Sequence, residues 1–137
     1  MKVQIKLKPW GKEIWFAHTK QYAGKILCLK KGHRFSLQYH EKKTETQYIY
    51  KGSAKLTFGN KKNKLTTRIL KTGDKIDILP YTIHRIQALS DLEIFEVSTP
   101  ELNDVVKIED DYGRNGKGNN ETLDKKLAKN RSTKSNK

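Results

Sequence analysis

The amino-acid sequence predicts an all-β protein, either a sandwich or a barrel of short antiparallel strands. Apolar and polar residues alternate with a period of two along most of the first 98 residues, which is the pattern of half-buried strands. Glycine-centred turns, such as those at Gly52, Gly59 and Gly73, separate the segments at near-regular spacing. Within this region no segment shows the apolar stripe of an amphipathic helix. Together these three observations are typical of all-β sandwiches and barrels.

Each predicted strand is bounded by turn residues. In the first strand, apolar residues alternate with lysine and glutamine until Pro9-Trp10-Gly11 ends it. Residues 24–30 are rich in apolar residues, and residues 45–50 are rich in Thr, Tyr and Ile, which favour strands. The predicted strands are residues 2–8, 13–17, 24–30, 34–40, 45–50, 54–58, 65–70, 75–79, 83–88 and 92–98.

Polar and glycine-containing segments connect these strands. Lys31-Gly32 is a turn, residues 41–44 form a polar hairpin loop, and residues 59–64 form a second hairpin turn. Residues 72–74 turn the chain again, and Pro80 ends the strand that precedes it. Because connections this short join antiparallel neighbours, we expect antiparallel sheets.

Residues 115–137 differ from the rest of the chain in composition. They carry seven Lys or Arg and two Asp or Glu, a net charge of +5, and their large apolar residues are Leu123 and Leu127. Such a segment buries too little apolar surface to offset its own ordering entropy. Because 137 residues are the size of one domain, we predict a single folded domain over residues 1–114 and a disordered, Lys-rich tail over residues 115–137.

Charge and apolar content restrict the class of protein. The net charge is +14, and residues 1–114 hold +9 of it, so the folded part either attracts anions or has a solvated Lys-rich surface. The single cysteine, Cys28, excludes a disulfide within the chain. We expect a cytoplasmic protein without a membrane partner, since no apolar run has secretory or membrane-spanning length. Nucleic acid is not the expected partner, because interleaved aromatic residues and a helix for the major groove are lacking.

Three residues with metal-binding side chains lie within eight positions, namely Gln38, His40 and Glu45. Residues i and i+2 of a strand project from the same face, so Gln38 and His40 point together, and the hairpin loop brings Glu45 onto the adjacent strand. His84, which opens a later strand, is the best candidate for a fourth ligand. Two imidazoles with two oxygen donors suit one divalent ion of Zn, Mn, Fe, Co or Ni. On spacing alone, a polar strand with a hydrogen-bonded histidine stays the alternative.

The spacing of these residues resembles the two sequence motifs of the cupin superfamily. The run Gly32-(x5)-Gln38-x-His40-(x4)-Glu45-(x6)-Gly52 is similar to the first motif, with Gln38 in the place of its usual first histidine. Gly73-Asp74 followed by Pro80-(x3)-His84 is similar to the second motif. This resemblance implies a cupin-type double-stranded β-helix, which is a jelly-roll barrel, followed by the disordered basic C-terminal tail.

Further segments resemble the type II phosphomannose isomerase domain, which occurs alone or at the C-terminal end of mannose-1-phosphate guanylyltransferases. The similarity covers about residues 8–114. The chain departs from the family pattern at Leu79-Pro80-Tyr81, where the family usually has Pro-Pro-Gly. The matching segments are Pro9-Trp10-Gly11, Arg34-x-Ser36-x-Gln38-x-His40, His84-Arg85 and Glu109-Asp110-Asp111-Tyr112-Gly113-Arg114.

The resemblance implies an enzyme that interconverts mannose 6-phosphate and fructose 6-phosphate, with a phosphorylated sugar as its small-molecule partner and a homodimer as its assembly. The residues that it implies for one divalent metal ion are Gln38, His40, Glu45 and His84. The residues that it implies for the phosphate are Arg34, Lys25 and Arg85, and those for catalysis are Arg114, Glu96 and Arg34. Arg34 shares the strand parity of Gln38 and His40, so we expect its side chain to face the cavity. Glu96 fits three roles: the base, a partner of a metal ligand, or a polar core residue.

Three other functions stay open at this level. Tyr81, beside the second motif, leaves room for a cupin that acts on another carbohydrate, such as a nucleotide sugar. A small barrel also suits a non-catalytic module that binds a metal or a sugar, because one fold hosts many functions. The basic surface keeps nucleic-acid binding as the third.

Overall fold

The computed structural model describes the backbone of residues 1–135 and the side chains of residues 1–131. Over this range the chain forms twelve strands and one helix. The elements are β1 (Gln4–Lys8), β2 (Gly11–His18), β3 (Ala23–Leu29), β4 (Leu37–Tyr39), β5 (Glu45–Lys51), β6 (Ser53–Gly59), β7 (Thr66–Lys71), β8 (Lys75–Ile78), β9 (Ile83–Ala88), β10 (Leu92–Ser98), β11 (Val106–Glu109), β12 (Gly116–Lys117) and α1 (Glu121–Ser135).

The strands build two six-stranded antiparallel sheets that pack face to face. The first sheet has the order β1-β2-β3-β10-β5-β8, and the second has the order β12-β11-β4-β9-β6-β7. Strands far apart in the chain are therefore neighbours, as β10 is between β3 and β5. The all-β class predicted from the period-two alternation is confirmed, and so is the jelly-roll barrel of two sheets that the family resemblance implies.

The space between the sheets has an apolar end and a polar end. At the apolar end, Ile49, Ile86 and Ile94 are fully buried and pack in one cluster. At the other end the inward positions of β5 hold Glu45 and Gln47, both 2% exposed. The apolar cluster supplies the burial that stabilises the barrel, and the polar end is where chemistry can occur.

Two segments differ from the predicted strands. Only Leu37–Tyr39 of the predicted strand 34–40 is a strand, and Arg34 makes an isolated bridge with Gln87. Residues 106–109 and 116–117 add β11 and β12, which pair with each other beside β4. Strand parity therefore does not extend from the metal-binding motif back to Arg34.

Helix α1 occupies most of the segment for which the composition predicts disorder. Asn120 caps the helix, because its side-chain oxygen accepts a hydrogen bond from the backbone N–H of Leu123. Asp124 is 2% exposed and forms ion pairs with Lys8 and Arg114. Buried ion pairs of this kind leave no trace in an apolar residue count, which is why the prediction did not include the helix. Residues 136 and 137 of the predicted tail lie outside the described residues, and the division of the chain at residue 114 stays a prediction.

No helix in the part of the chain that the structure describes has the length and apolar character needed to cross a membrane.

Gly11 explains the glycine of the Pro9-Trp10-Gly11 signature. It opens β2 with φ +154°, and a Cβ at this position would lie 1.8 Å from the carbonyl oxygen of Cys28 on β3. Trp10, immediately before it, is 3% exposed and packs edge-on against Phe35 at 6.4 Å between ring centroids. The signature thus places Trp10 in the core and allows β2 and β3 to approach each other closely at Gly11.

Replacing Gly11 with alanine is expected to lower the free energy of unfolding by more than about 2 kcal/mol, because the added methyl group forces β2 away from β3. Urea unfolding followed by circular dichroism measures the change. The control is Gly32→Asn, at a positive φ of 86° with no atom within 4 Å of the added Cβ, where a cost below about 1 kcal/mol is expected. Equal unfolding midpoints for Gly11→Ala and the unmodified chain would contradict this assignment.

Candidate metal centre

Three ligand-type side chains converge at the polar end of the barrel. His40 follows β4, Glu45 opens β5, and His84 lies on β9. Their exposed fractions are 2%, 2% and 0%, and their ligand atoms all lie within 4.8 Å of one another. Nε2 of His40 is 3.3 Å and Nε2 of His84 is 3.4 Å from Oε1 of Glu45. Three of the four side chains predicted from the two motifs therefore meet at one point.

Hydrogen bonds at the other ring nitrogens set the tautomers of the two histidines. Nδ1 of His40 is 2.6 Å from the carbonyl oxygen of Asp104, and Nδ1 of His84 is 2.9 Å from that of Thr82. Because a carbonyl oxygen only accepts, each Nδ1 carries a proton, and in the neutral ring the lone pair then lies on Nε2. Burial lowers the pKa of His40, and the neighbouring Glu45 only partly opposes this effect. The neutral imidazole of His40 is therefore the form that faces Glu45.

The converging atoms fit a cation. Nε2 of His40, Nε2 of His84 and Oε1 of Glu45 are buried and make no hydrogen bond within the described residues, while Oε2 of Glu45 lies 2.9 Å from Nζ of Lys43. Burial raises the pKa of Glu45, but its neighbours, with the positive charge of Lys43 foremost, outweigh it and hold that pKa well below its usual value. Two imidazole nitrogens and an ionised carboxylate oxygen thus face one another, and buried acceptors need a partner. A divalent ion would give all three atoms a partner.

Gln38 lies beside this cluster. It is directly opposite His84 in the β4–β9 register and lines the same cavity as His40. Its amide oxygen is 2.5 Å from the hydroxyl of Ser36, which donates to it. A serine hydroxyl can also accept from an amide nitrogen, and that arrangement would turn the amide oxygen of Gln38 away from Ser36. The position of Gln38 is compatible with the predicted fourth ligand.

The loop that carries Lys43 is fixed by a residue distant in sequence. The carboxylate of Asp104 accepts hydrogen bonds from the backbone N–H groups of Glu41, Lys42 and Lys43 at 3.1, 2.7 and 2.9 Å. The carbonyl of the same Asp104 orients His40. Asp104 therefore fixes both the orientation of the His40 ring and the conformation of the loop that precedes Glu45. No local sequence signal marks Asp104 for this role.

A chain of alternating buried charges extends from the cluster into the barrel. Nζ of Lys43 is 2.9 Å from Glu45 and 3.1 Å from Glu96. Nζ of Lys25 is 3.6 Å from Glu96 and 3.1 Å from Glu13. Three carboxylates and two ammonium groups give this network a net charge of −1, so a divalent ion would bring it to +1. The network satisfies buried charges that would be costly alone.

The pKa values within this network differ because the environments differ. Burial opposes ionisation of Glu13, but the positive charges of Lys25 and Lys8 and hydrogen bonds from Trp15 and Lys25 outweigh it and lower its pKa to about 2. Burial and the charge of Glu45 raise the pKa of Glu96 against the opposing effect of its two lysines. Glu96 is therefore the carboxylate of the network that takes up a proton most readily.

Sequence reasoning missed several members of this network. Lys43 was assigned to a polar hairpin loop, yet it is 3% exposed, and residues 41–44 are not a hairpin because they connect strands of different sheets. Gln47 donates a hydrogen bond to Glu96 at 3.1 Å, and its spacing of i+2 from Glu45 was a usable signal. Glu13 gave no such signal, because its partner Lys25 lies on another strand.

The cavity beside the cluster is narrow, and its wall holds five Lys or Arg side chains and two carboxylates, Glu13 and Glu96. The centre of a water molecule can occupy about 50 Å³ of it. Five of the sequence-predicted site residues line it, namely Lys25, Gln38, His40, Glu96 and Arg114. Lys8, Lys43 and Lys107 add further positive charge to its wall. The predicted residues are therefore brought together with cations that the motifs did not indicate.

Two predicted phosphate-binding residues lie outside this cavity. Arg34 forms a two-pronged ion pair with Asp111 at 2.7 and 2.8 Å, with its side chain 38% exposed. The expectation that Arg34 faces the cavity is wrong, because residue 34 precedes the strand on which the parity was counted. Arg85 neighbours His84 on β9 and so points to the other face, where it donates to the carbonyl oxygens of Phe35 and Glu109.

Tyr81 occupies the turn position at which the family usually has glycine. Its φ is +65°, in the left-handed region, which glycine adopts more easily than tyrosine does. Its backbone N–H donates to the carbonyl of His40 at 2.7 Å, and its ring stacks on Tyr39 at 5.9 Å. These contacts hold the loop beside His84 in place despite the substitution.

Comparison with known proteins agrees with this geometry. Residues 2–110 match the family model described as "Mannose-6-phosphate isomerase C-terminal". The chain is 24% identical over 119 residues to mannose-1-phosphate guanylyltransferase RfbM of Salmonella typhimurium, covering 83% of this chain and 24% of that protein. This chain thus spans about a quarter of the curated relative that it matches.

Solved structures show the same fold at low identity. Oxalate decarboxylase from Bacillus subtilis has a TM-score of 0.66 and 22% identity over 77% of this chain and 30% of that one. KdgF from Halomonas sp. has a TM-score of 0.61 and 17% identity over 74% of this chain and 87% of that one. With the family match over most of its length, the chain belongs to the mannose-6-phosphate isomerase C-terminal family and has its cupin barrel.

Proposed function

We propose that this protein is a metal-dependent isomerase that interconverts mannose 6-phosphate and fructose 6-phosphate. One observation carries the proposal: buried ligand atoms of His40, Glu45 and His84 meet at one point, and His40 lines a cavity whose wall holds five Lys or Arg residues and two carboxylates. The family description and the guanylyltransferase relative favour a phosphorylated mannose derivative as substrate. A negatively charged sugar phosphate suits a wall of this charge.

The metal ligands in this proposal are His40, Glu45 and His84, with Gln38 as the fourth. Imidazole and oxygen donors without a thiolate suit Zn, Mn, Fe, Co or Ni. Manganese is favoured among these, since oxalate decarboxylase from Bacillus subtilis, which shares the fold, has Mn(II) centres. When bound, the ion supplies a Lewis acid that polarises the sugar carbonyl and stabilises negative charge on its oxygen.

Isomerisation also needs a group that carries a proton between C1 and C2 of the sugar. Glu96 suits this role, because it lines the cavity and its pKa is raised by burial and by Glu45, closer to neutral pH than an ordinary carboxyl. Gln47, Lys43 and Lys25 contact its two oxygens and hold them in place. Lys43 itself is an unsuitable base, since Glu45 and Glu96 raise its pKa despite its burial.

The narrowness of the cavity favours a second candidate, a module that binds a metal or a sugar without turnover. The cavity leaves about 50 Å³ for the centre of a water molecule, so a hexose phosphate needs the wall to move. The two candidates share the metal site and differ in whether a bound sugar phosphate reacts.

We expect one Mn²⁺ per chain after the protein is loaded with the metal and dialysed, as measured by elemental analysis. His40→Ala and His84→Ala are each expected to lower the retained metal at least tenfold, because each removes one of the convergent nitrogen atoms. The matched control is His33→Ala, whose imidazole stacks on Tyr112 away from the cluster. Full metal occupancy in folded His40→Ala and His84→Ala would remove the basis of the proposal.

The reaction predicts conversion of mannose 6-phosphate to fructose 6-phosphate by the Mn²⁺-loaded protein and its loss on chelation. Glu96→Gln keeps the shape of the side chain but cannot shuttle the proton, so kcat is expected to fall by about 10² or more with the metal retained. Glu93→Gln, on the outer face of the same strand β10, is the control. A metal-loaded protein that binds mannose 6-phosphate without turnover would establish the second candidate instead.

We also propose that the protein is a homodimer that pairs through the outer face of the first sheet. Val3 just before β1, Ile5 of β1, Phe16 of β2, Tyr50 of β5 and Val97 of β10 are each between 51% and 59% exposed on this face. Exposed apolar patches of this extent mark association surfaces. Packing this face of one copy against the same face of a second copy would remove these apolar side chains from water.

The dimer predicts a mass of twice 15.9 kDa in size-exclusion chromatography with light scattering. Val97→Lys places a charge in the middle of the apolar face and is expected to give the monomer. Ile69→Lys is the control, because Ile69 is 56% exposed on β7 of the other sheet. A monomeric unmodified chain, or a dimer that persists in Val97→Lys, would contradict the pairing.

A further inference from the structure

Three buried cations lie where the metal cavity approaches the surface. Lys8, Lys107 and Arg114 line the cavity, and their exposed fractions are 6%, 7% and 8%. Buried lysines and arginines are rare unless they are paired. Their concentration at one place therefore calls for a matching negative charge.

Two aspartates supply that charge, and they do so differently. Asp110 binds Arg114 through both carboxylate oxygens, at 2.7 and 3.0 Å, and lies four residues from it in the chain. Asp124 belongs to α1 and reaches over the cluster, 2.8 Å from Nζ of Lys8 and 3.2 Å from Nη1 of Arg114. Without Asp124, the three cations and Asp110 have a net charge of +2, which matches the charge of a phosphate monoester.

Asp124 stands between the cavity and the solvent. Two surface hollows, of about 420 and 430 Å³, flank the beginning of α1, and Asp124 lines both. The first hollow shares Lys8 with the metal cavity, and the second shares Lys107 and Arg114 with it. The carboxylate therefore closes the junction at which an anion would enter.

Polar contacts and a small apolar contact hold α1. Arg131 donates to the carbonyl oxygens of Lys8 and Pro9 at 2.6 and 2.5 Å, and Glu121 pairs with Lys6 at the exposed edge. Among the described residues of the helix, Ala128 is buried and Leu123 and Leu127 are half-buried. An anion that replaces Asp124 would therefore remove the ion pairs that tie the first turn of the helix to Lys8 and Arg114.

We propose that Lys8, Lys107 and Arg114 bind the phosphate group of the substrate, and that Asp124 occupies this site in the free protein as an internal competitor. The identity of the substrate as a sugar phosphate rests on the proposed function; the anion site itself does not. Helix α1 lies beyond the residues 2–110 that match the family, so the competitor belongs to this chain's C-terminal extension. The pKa of Lys107, lowered to about 8 by its burial and then by Arg114 and Lys8, agrees with an excess of positive charge here.

Calorimetric titration with inorganic phosphate, in the presence of a chelator so that no metal contributes, tests the site in the full chain. Asp124→Asn removes the competing charge at constant shape and is expected to bind phosphate at least tenfold more tightly than the unmodified protein. Adding Lys107→Met to Asp124→Asn is expected to reverse this gain. Glu93→Gln, which removes one charge from the outer face of β10, is the control and is expected to leave the phosphate affinity unchanged. A folded Asp124→Asn protein with unchanged phosphate affinity would overturn the proposal.

Hydrogen exchange of the unmodified protein gives a second test that needs no variant. Saturating phosphate is expected to accelerate amide exchange in residues 121–131, compared with chloride at equal ionic strength, because the anion displaces Asp124 from Lys8 and Arg114. Unchanged or slower exchange there would overturn the competition. Both tests are independent of turnover, so a protein that binds phosphate as expected but lacks isomerase activity would contradict the proposed function and leave the anion site standing.

Discussion

The structure depends on the burial of one carboxylate, Glu45, between two imidazoles. A carboxylate that is 2% exposed is costly unless its charge is compensated. Lys43 compensates one oxygen from 2.9 Å, while the other lies 3.3 Å from Nε2 of His40 and 3.4 Å from Nε2 of His84. A divalent cation would give these three atoms a common partner. The rest of the polar end, from Glu96 inward, is arranged around this requirement, since each buried charge there has a neighbour of opposite sign.

The same strand serves both stability and chemistry. On β5, the inward positions are Glu45, Gln47 and Ile49 in succession, so the strand passes from the cluster into the apolar core within five residues. Because inward positions recur every second residue, a change at Gln47 affects the support of Glu96 without entering the apolar cluster. The barrel can therefore carry a strained polar site at one end while its other end supplies the burial that keeps it folded.

How much the sequence predicts depends on how local the cause is. His40 and Glu45 were predicted correctly as neighbours, because only four residues separate them, but the predicted hairpin is wrong, since residues 41–44 connect β4 and β5 of different sheets. The burial of Lys43 was not predicted, because it follows from backbone hydrogen bonds to Asp104, 61 residues away. Helix α1 was not predicted, because it is held by the contact between Asp124 and Lys8, which are 116 residues apart. Arg34 shows the converse error, in which a local rule was applied beyond the strand that justified it.

The positions of the buried charges indicate which residues can determine the choice of substrate. Inside the barrel, Glu13, Lys25, Glu96 and Lys43 balance one another, so removing any one leaves an uncompensated buried charge and costs several kcal/mol. Such an interior changes little without unfolding, and it suits metal-assisted chemistry on more than one sugar. Lys8, Lys107 and Arg114 lie beside surface hollows, so an anion can replace a lost partner there. In the proposed anion site, the choice of ligand therefore falls to these three cations, and Asp124 sets their net charge.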